Sequence, residues 1–205
     1  MEILLIRHGQ TEGNVAKRHQ EETTKLTPLG VRQAHEVAKE VKAFKPTHLL
    51  SSSLVRTIQT STIIGDVCGL VPETSHDFIE LVRPCYIYGH YHRSLKSINF
   101  YIHWYFRDMG GDGGREGESY EALIERIKRA QAHLATYPND ARIAVVSHAV
   151  FITFFLAHLC NEKKVNILRG FKVFKDMLTI KNGEIIPLTY DPLCDSDNCA
   201  WTVNR

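Results

Sequence analysis

Glu2-Ile3-Leu4-Leu5-Ile6-Arg7-His8-Gly9 is the stretch on which the reading of the fold turns. Ile3 to Ile6 are four apolar residues in a row, which is the pattern of a short strand covered on both faces. The run stops at a basic pair, Arg7-His8. Two later segments repeat this form: Thr47–Ser51 leads through Ser51-Ser52-Ser53 to Arg56, and Arg142–Ser147 runs straight into His148. Between these strands lie helices with recognisable ends. Thr27-Pro28 places an N-cap before a proline at the first helical position, and apolar residues at Val31, Ala34, Val37, Ala38, Val41 and Phe44 follow until Pro46. A second helix is expected from about Leu54 to Cys68, ended by Gly69. Ser119 caps a third, with Leu123, Ile127, Ala130 and Leu134 on one stripe, and Ala149–Leu159 is apolar on most sides, as a central helix would be.

Strand–helix alternation predicts an α/β fold of three layers, α/β/α, around a mostly parallel sheet. Asn182-Gly183, between Met177–Ile180 and Glu184–Tyr190, predicts a C-terminal antiparallel hairpin. The tail after Asp191 has no clear period and reads as loosely held. Residues 83–117 depart from the alternation. They hold an aromatic amphipathic segment, Ser94–Arg107, with Leu95, Ile98, Ile102 and Tyr105 on one face. The run Gly110-Gly111-Asp112-Gly113-Gly114 follows and suits a hinge or mobile loop. The chain of 205 residues is therefore expected to be one domain, 1–205, carrying a helical and loop cap at about 83–117.

Composition narrows the partners. A formal net charge of +2 gives no bulk attraction to nucleic acid or to an anionic membrane, so neither is expected. The apolar start is too short for a secretory signal, and no later run reaches membrane-spanning length, so a cytoplasmic protein is expected. The five cysteines form no Cys-x-x-Cys pair. Cys194 and Cys199 are close enough to bridge in an oxidising compartment, but reduced thiols are expected, with Cys68 and Cys160 filling helix faces. His90, His92 and His103 lack an accompanying carboxylate pattern and read as polar cap residues, so no metal is expected. Nothing in the sequence sets the oligomeric state.

In open parallel sheets the carboxyl ends of the strands form the ligand crevice. If the three strands are neighbours, Arg7, His8, Arg56 and His148 converge there, and guanidinium forks beside helix N-termini make a phosphate cradle. An imidazole can attack phosphorus, and a carboxyl group such as Glu80, in Phe78-Ile79-Glu80-Leu81 at the end of a further short strand, can protonate the leaving oxygen. That scheme requires no cofactor. Taken singly each residue has a plainer reading, as a structural histidine or a solvated arginine or glutamate; the joint pattern is what points to chemistry.

The pattern resembles the histidine phosphatase superfamily, also called phosphoglycerate mutase-like. Arg7-His8-Gly9-Gln10-Thr11-Glu12-Gly13-Asn14 is similar to its N-terminal signature, and Leu26–Ala34, Ser51–Thr60, Gly117-Glu118-Ser119 and Val146-Ser147-His148 are similar to its later blocks, in the same order. The resemblance implies that His8 is a transiently phosphorylated nucleophile. Arg7, Arg56 and His148 would hold the phosphoryl oxygens, Asn14 would bond phosphate or substrate, and Glu80 would be the general acid/base, with Glu73 and Asp77 as its nearby substitutes. Gln20 and Arg83 are further candidates for substrate contact, Arg83 for a second anionic group. Ala149 stands where the family commonly has glycine. The continuation Leu81-Val82-Arg83-Pro84 and the modest length favour a phosphate monoester hydrolase over a phosphoglycerate-type mutase or a non-catalytic phospho-ligand binder. A small-molecule phosphate ester is the expected partner, with a phosphoprotein as the alternative.

Overall fold

The computed structural model describes residues 1–107, 116–160, 173, 179–194 and 199–204. Among them, β1 (Glu2–Arg7), β2 (His48–Ser52), β3 (Glu73–Ser75), β4 (Arg142–Ser147), β5 (Ile185–Tyr190) and β6 (Trp201–Val203) form one sheet in the order β3-β2-β4-β1-β5-β6. The first four strands in that order are parallel; β5 runs antiparallel to β1, and β6 to β5. The helices are α1 (Glu12–Val15), α2 (Pro28–Phe44), α3 (Val55–Cys68), α4 (Leu95–Arg107), α5 (Tyr120–Ala135) and α6 (Ala149–Ala157).

The unbroken apolar runs of the parallel strands serve two faces, as the period of two demands. Ile3 and Leu5 join Leu50, Ile143 and Val145 under α5 and α6, while Leu4 and Ile6 join Leu49, Ala144 and Val146 under α2 and α3. This is the expected three-layer α/β/α arrangement. The helix starts follow the sequence signals. Thr27 Oγ1 accepts from Gly30 N with Pro28 in the first turn, and Ser119 Oγ accepts from Ala122 N. Each such cap stabilises its helix by about 1 kcal/mol. Gly69 ends α3 at φ 73°.

Three details differ from the sequence reading. On α4, Leu95, Ile98 and Ile102 are exposed, and the buried face is Ser97, Phe100, Trp104 and Tyr105. Trp104 decides the orientation: fully buried, it packs at 5.2 Å from Tyr120 and 5.6 Å from Phe154, and its Nε1 donates to Glu118 O. An indole with a satisfied N–H outweighs three aliphatic side chains of smaller area. At the C-terminal edge the antiparallel pair is β5 with β6. Thr179 and Ile180 belong to no strand, and Met177 and Leu178, like the glycine run 110–114, lie outside the described residues. The tail is thus not loose at Trp201–Val203. That pairing also brings Cys199 against Cys160, beyond the end of α6, close enough for the two to bridge (Cα–Cα 5.4 Å). Cys160 is therefore not a helix-face filler, and Cys194 is free.

Candidate active site

The order β2-β4-β1 makes the three polar-ended strands neighbours, and their register aligns the ends. Arg7 lies opposite Ser147, and Ser51 opposite Val146. His8 and His148 therefore leave the sheet side by side, with ring centroids 5.2 Å apart. Both are buried, at 3% and 0% exposure.

His8 Nδ1–H donates to the Gly9 carbonyl at 2.7 Å, which fixes the proton on Nδ1 and leaves the lone pair on Nε2. Burial, then the charges of Arg56 and Arg7, hold His8 well below the usual histidine range despite the Gly9 carbonyl. The ring is a neutral imidazole, the form able to attack an electrophile. His148 is neutral for the same first reason, burial, followed by Arg56 and His8. Its Nε2 lies 2.8 Å from Ser52 Oγ, and that oxygen already accepts from Leu54 N. Oγ has a second lone pair, so the direction is an assignment: with no other acceptor for its proton among the described residues, the hydroxyl is taken to donate to Nε2, which places the imidazole proton on Nδ1. Nδ1 is buried and has no protein partner, so it is a donor held for something else.

Arg7 and Arg56 share that condition. Arg7 Nη1 donates to Ile180 O and Arg56 Nη1 to Glu21 O, while each Nε is buried and unpaired. Neither arginine makes an ion pair among the described residues. Burial draws Arg56 down to about 10, so it remains charged at neutral pH. Buried polar donors need partners, and Arg7 Nε, Arg56 Nε and His148 Nδ1 together form a cluster with the chemistry to hold an anion.

The loop after β1 is held by backbone approach that only glycine permits. A Cβ on Gly9 would lie 2.3 Å from Gly30 O, and one on Gly30 2.1 Å from Gln10 O. Gly9 N donates to Thr60 Oγ1 and Gln10 N to Gln33 Oε1, so α2 and α3 together set the loop. Asn14 closes α1 with a capping box on Thr11. Its Oδ1 also accepts from Asn182 Nδ2 (3.1 Å), and Asn182 Nδ2 reaches His8 O as well (3.0 Å). These bonds engage Asn14 through Oδ1. Asn182 is a tie that its turn-forming signature did not disclose; Ser52 was likewise visible only as part of a serine run.

Glu80 is not on a strand. It follows a short 3-10 turn, His76–Phe78, in extended backbone. Its carboxylate caps α6: Oε1 accepts from Leu81 N (2.9 Å) and Phe151 N (3.2 Å), and Oε2 from Val150 N (3.4 Å). His148 occupies the N-cap position of that helix without a side-chain cap, so Glu80 takes over the task. The alternatives are engaged elsewhere, Glu73 with the Tyr137 hydroxyl and Asp77 with Arg129.

A solvent-open cleft lies beside these groups. Arg56 and Glu80 line it together with Gln20, Glu22, Arg83 and Tyr88. Gln20 Oε1 accepts from Thr11 Oγ1 at 2.6 Å. Arg83 is buried, with Nε donating to Tyr101 Oη (3.0 Å) and Nη1 to Leu81 O (3.3 Å), and it has no ion pair among the described residues. The segment that follows is stitched to the loop after β1: Gly89 N donates to His19 O, His19 N to His90 O, and His92 N to Lys17 O. His90 Nε2 lies 3.3 Å from Lys96 Nζ and the His92 ring packs on His19 at 4.7 Å.

A buried pair of neutral imidazoles framed by two guanidiniums without ion-pair partners among the described residues lies at the carboxyl edge of the parallel sheet, an arrangement with the chemistry to hold a phosphoryl group. The chain belongs to the histidine phosphatase superfamily (branch 1), whose family model matches residues 3–184. It is similar to a "Probable phosphoglycerate mutase" of Proteus mirabilis (strain HI4320), at 34% identity over 73% of this chain and 70% of that protein. Two solved structures share the fold. The alpha-ribazole phosphatase from Shigella flexneri superposes with a TM-score of 0.76 at 22% identity, covering 100% of this chain and 95% of its own. A mutant phosphoserine phosphatase from Entamoeba histolytica, in complex with phosphoserine, gives the same TM-score, identity and coverage.

Proposed function

We propose that this protein hydrolyses small phosphate monoesters through a phosphohistidine on His8. The observation that carries the reading is the Gly9 clamp on Nδ1–H, which aims an unprotonated Nε2 into a cradle of unpaired donors. In the first step Nε2 forms a bond to phosphorus, the ester P–O bond breaks, and the departing oxygen takes a proton from Glu80 acting as general acid. Arg7, Arg56, His148 Nδ1–H and Asn14 Nδ2 hold the phosphoryl oxygens as charge spreads over them. In the second, Glu80 removes a proton from water and the water oxygen attacks phosphorus. The N–P bond then breaks, returning its electron pair to Nε2. Inorganic phosphate leaves and Glu80 is again protonated.

The cleft supports a small alcohol as leaving group, since Arg56 and Glu80 line it together with the polar groups of Gln20 and Arg83. Arg83 and Gln20 are its specificity groups, Arg83 for a second anionic group. Residues 83–117 form the cap within a single domain, a reading supported by the stitching of residues 89–92 to 17–19. Among the described residues no helix is long and apolar enough to cross a membrane. A cytoplasmic setting belongs to the same proposal. Thiol titration of protein from freshly broken cells tests it, with five reactive cysteines expected in that compartment and three if the bridge is closed.

The mutase reading draws on the name of the Proteus relative. One experiment separates the two. Wild type, His8→Ala and Glu80→Gln are compared on a panel of phosphate esters in the presence of a chelator. Stoichiometric release of inorganic phosphate by wild type, with an acid-labile phosphoenzyme absent from His8→Ala, is expected. Full activity in His8→Ala would sink the mechanism, and phosphoryl return to a bound product in place of release would establish a mutase.

A further inference from the structure

Glu118 and Arg126 form a buried, two-pronged ion pair. Arg126 Nε donates to Oε1 and Nη2 to Oε2, both at 2.7 Å, with the side chains 5% and 6% exposed. Neither belongs to the phosphoryl cradle. Such a pair gains little for stability over apolar packing, so its partners are the informative part. The remaining nitrogen, Arg126 Nη1, donates to the carbonyls of Asp77 (3.1 Å) and Ile79 (2.7 Å). Glu118 Oε2 accepts from Val82 N (3.4 Å), and Glu118 N donates to Val82 O (2.8 Å). The pair thus grips the chain on both sides of Glu80, at Ile79 and at Val82. It reaches the opposite side of the carboxylate too: the Arg126 guanidinium sits 5.3 Å over the ring of Phe151, whose N–H binds Glu80 Oε1.

We propose that the Glu118–Arg126 pair is a positioning device for Glu80, holding its carboxyl group in line with the oxygen that leaves phosphorus. The inference rests on Glu80 as the general acid. The pair touches neither phosphate nor leaving group; it acts by fixing the backbone that carries Glu80 and the helix turn against which Glu80 rests. A lysine at 126 cannot hold a carboxylate by two prongs and two carbonyls at once, and a glutamine at 118 loses one prong while keeping the volume.

The test exploits leaving-group chemistry. Glycerol leaves glycerol 3-phosphate as an alkoxide and needs a proton, whereas p-nitrophenol leaves p-nitrophenyl phosphate as a stable phenolate and does not. Glu118→Gln, Arg126→Lys and Glu80→Gln are assayed on both esters by kcat/KM, which reports the phosphorylation step, and the glycerol phosphate rate is followed against pH. A correctly placed general acid contributes about 10²–10⁴-fold. Glu118→Gln is therefore expected to lose about 30-fold or more on glycerol 3-phosphate and under about threefold on p-nitrophenyl phosphate, with a flattened basic limb. Glu80→Gln should show the same selectivity more strongly. Equal loss on both esters, or none, in Glu118→Gln and Arg126→Lys while Glu80→Gln remains selective would overturn the positioning role alone. Absence of selectivity in Glu80→Gln would overturn the acid assignment and the inference with it. Should Arg126→Lys fold poorly, the near-isosteric Glu118→Gln decides.

Discussion

Ser52 Oγ stands 2.8 Å from His148 Nε2, and this contact sets which nitrogen of His148 faces the phosphoryl site. The hydroxyl accepts from Leu54 N and has one proton to give; with that proton assigned to Nε2, Nδ1–H is the free donor. A serine on β2 thereby decides what a histidine after β4 can offer.

Replacing Ser52 by alanine should therefore harm catalysis more than folding. With Nε2 unpartnered, the imidazole can swap tautomers and present a lone pair to the phosphoryl oxygens. A loss of about 1.4 kcal/mol, one buried hydrogen bond, corresponds to about tenfold in rate. Phosphorylation rates measured by rapid quench are expected to fall by that order; an unchanged rate would show that His148 is oriented by something else.

Arg83 should govern selectivity. The matched esters 3-phosphoglycerate and glycerol 3-phosphate differ in a carboxylate against a hydroxymethyl group. A charge-assisted hydrogen bond contributes about 1.5–3 kcal/mol, so Arg83→Gln is expected to cut kcat/KM for the carboxylate ester by about 10–100-fold. The uncharged counterpart should change by less than about threefold. Equal effects on both would remove Arg83 from substrate recognition.

The buried histidines should make the fold acid-labile. His8 and His148 are held well below 6.5, and His19, buried and bonded to Ser97, is held at about 2 by burial and then by Arg83. Below 6.5 the unfolded chain takes up these protons and the folded one does not, so stability is full above that pH and declines as pH falls toward the folded values. Each histidine contributes about 1.4 kcal/mol per pH unit in that window. Urea unfolding at pH 7 and pH 5 should show the decline, and His19→Asn should lessen it by about that amount per unit. An identical pH dependence in His19→Asn would mean that His19 is protonated in the native state.

What was legible beforehand follows from locality. Arg7, His8, Arg56 and His148 announce themselves because each ends or follows an apolar run, and the sheet order then brings them together. The α2 and α5 caps were equally plain, since a cap is written within three residues. Asn182 was not, because its partner His8 is 174 residues away and an Asn-Gly pair reads first as a turn. The partners of Glu80 are backbone N–H groups at Val150 and Phe151, which no side-chain pattern can reveal. On α4 two apolar faces competed, and the one bearing Trp104 won by packing that is decided between helices.

β1 lies between β4 and β5, and both of its neighbours come from the last third of the chain. During synthesis β1 therefore leaves the ribosome well before either of the strands that enclose it. Until residues beyond 180 emerge, His8 lacks the tie from Asn182, and one edge of the future central strand stays open to any other strand that meets it. A nascent or truncated chain ending before β5 is accordingly expected to be inert and aggregation-prone, with the apolar run Ile3–Ile6 left at an open sheet edge.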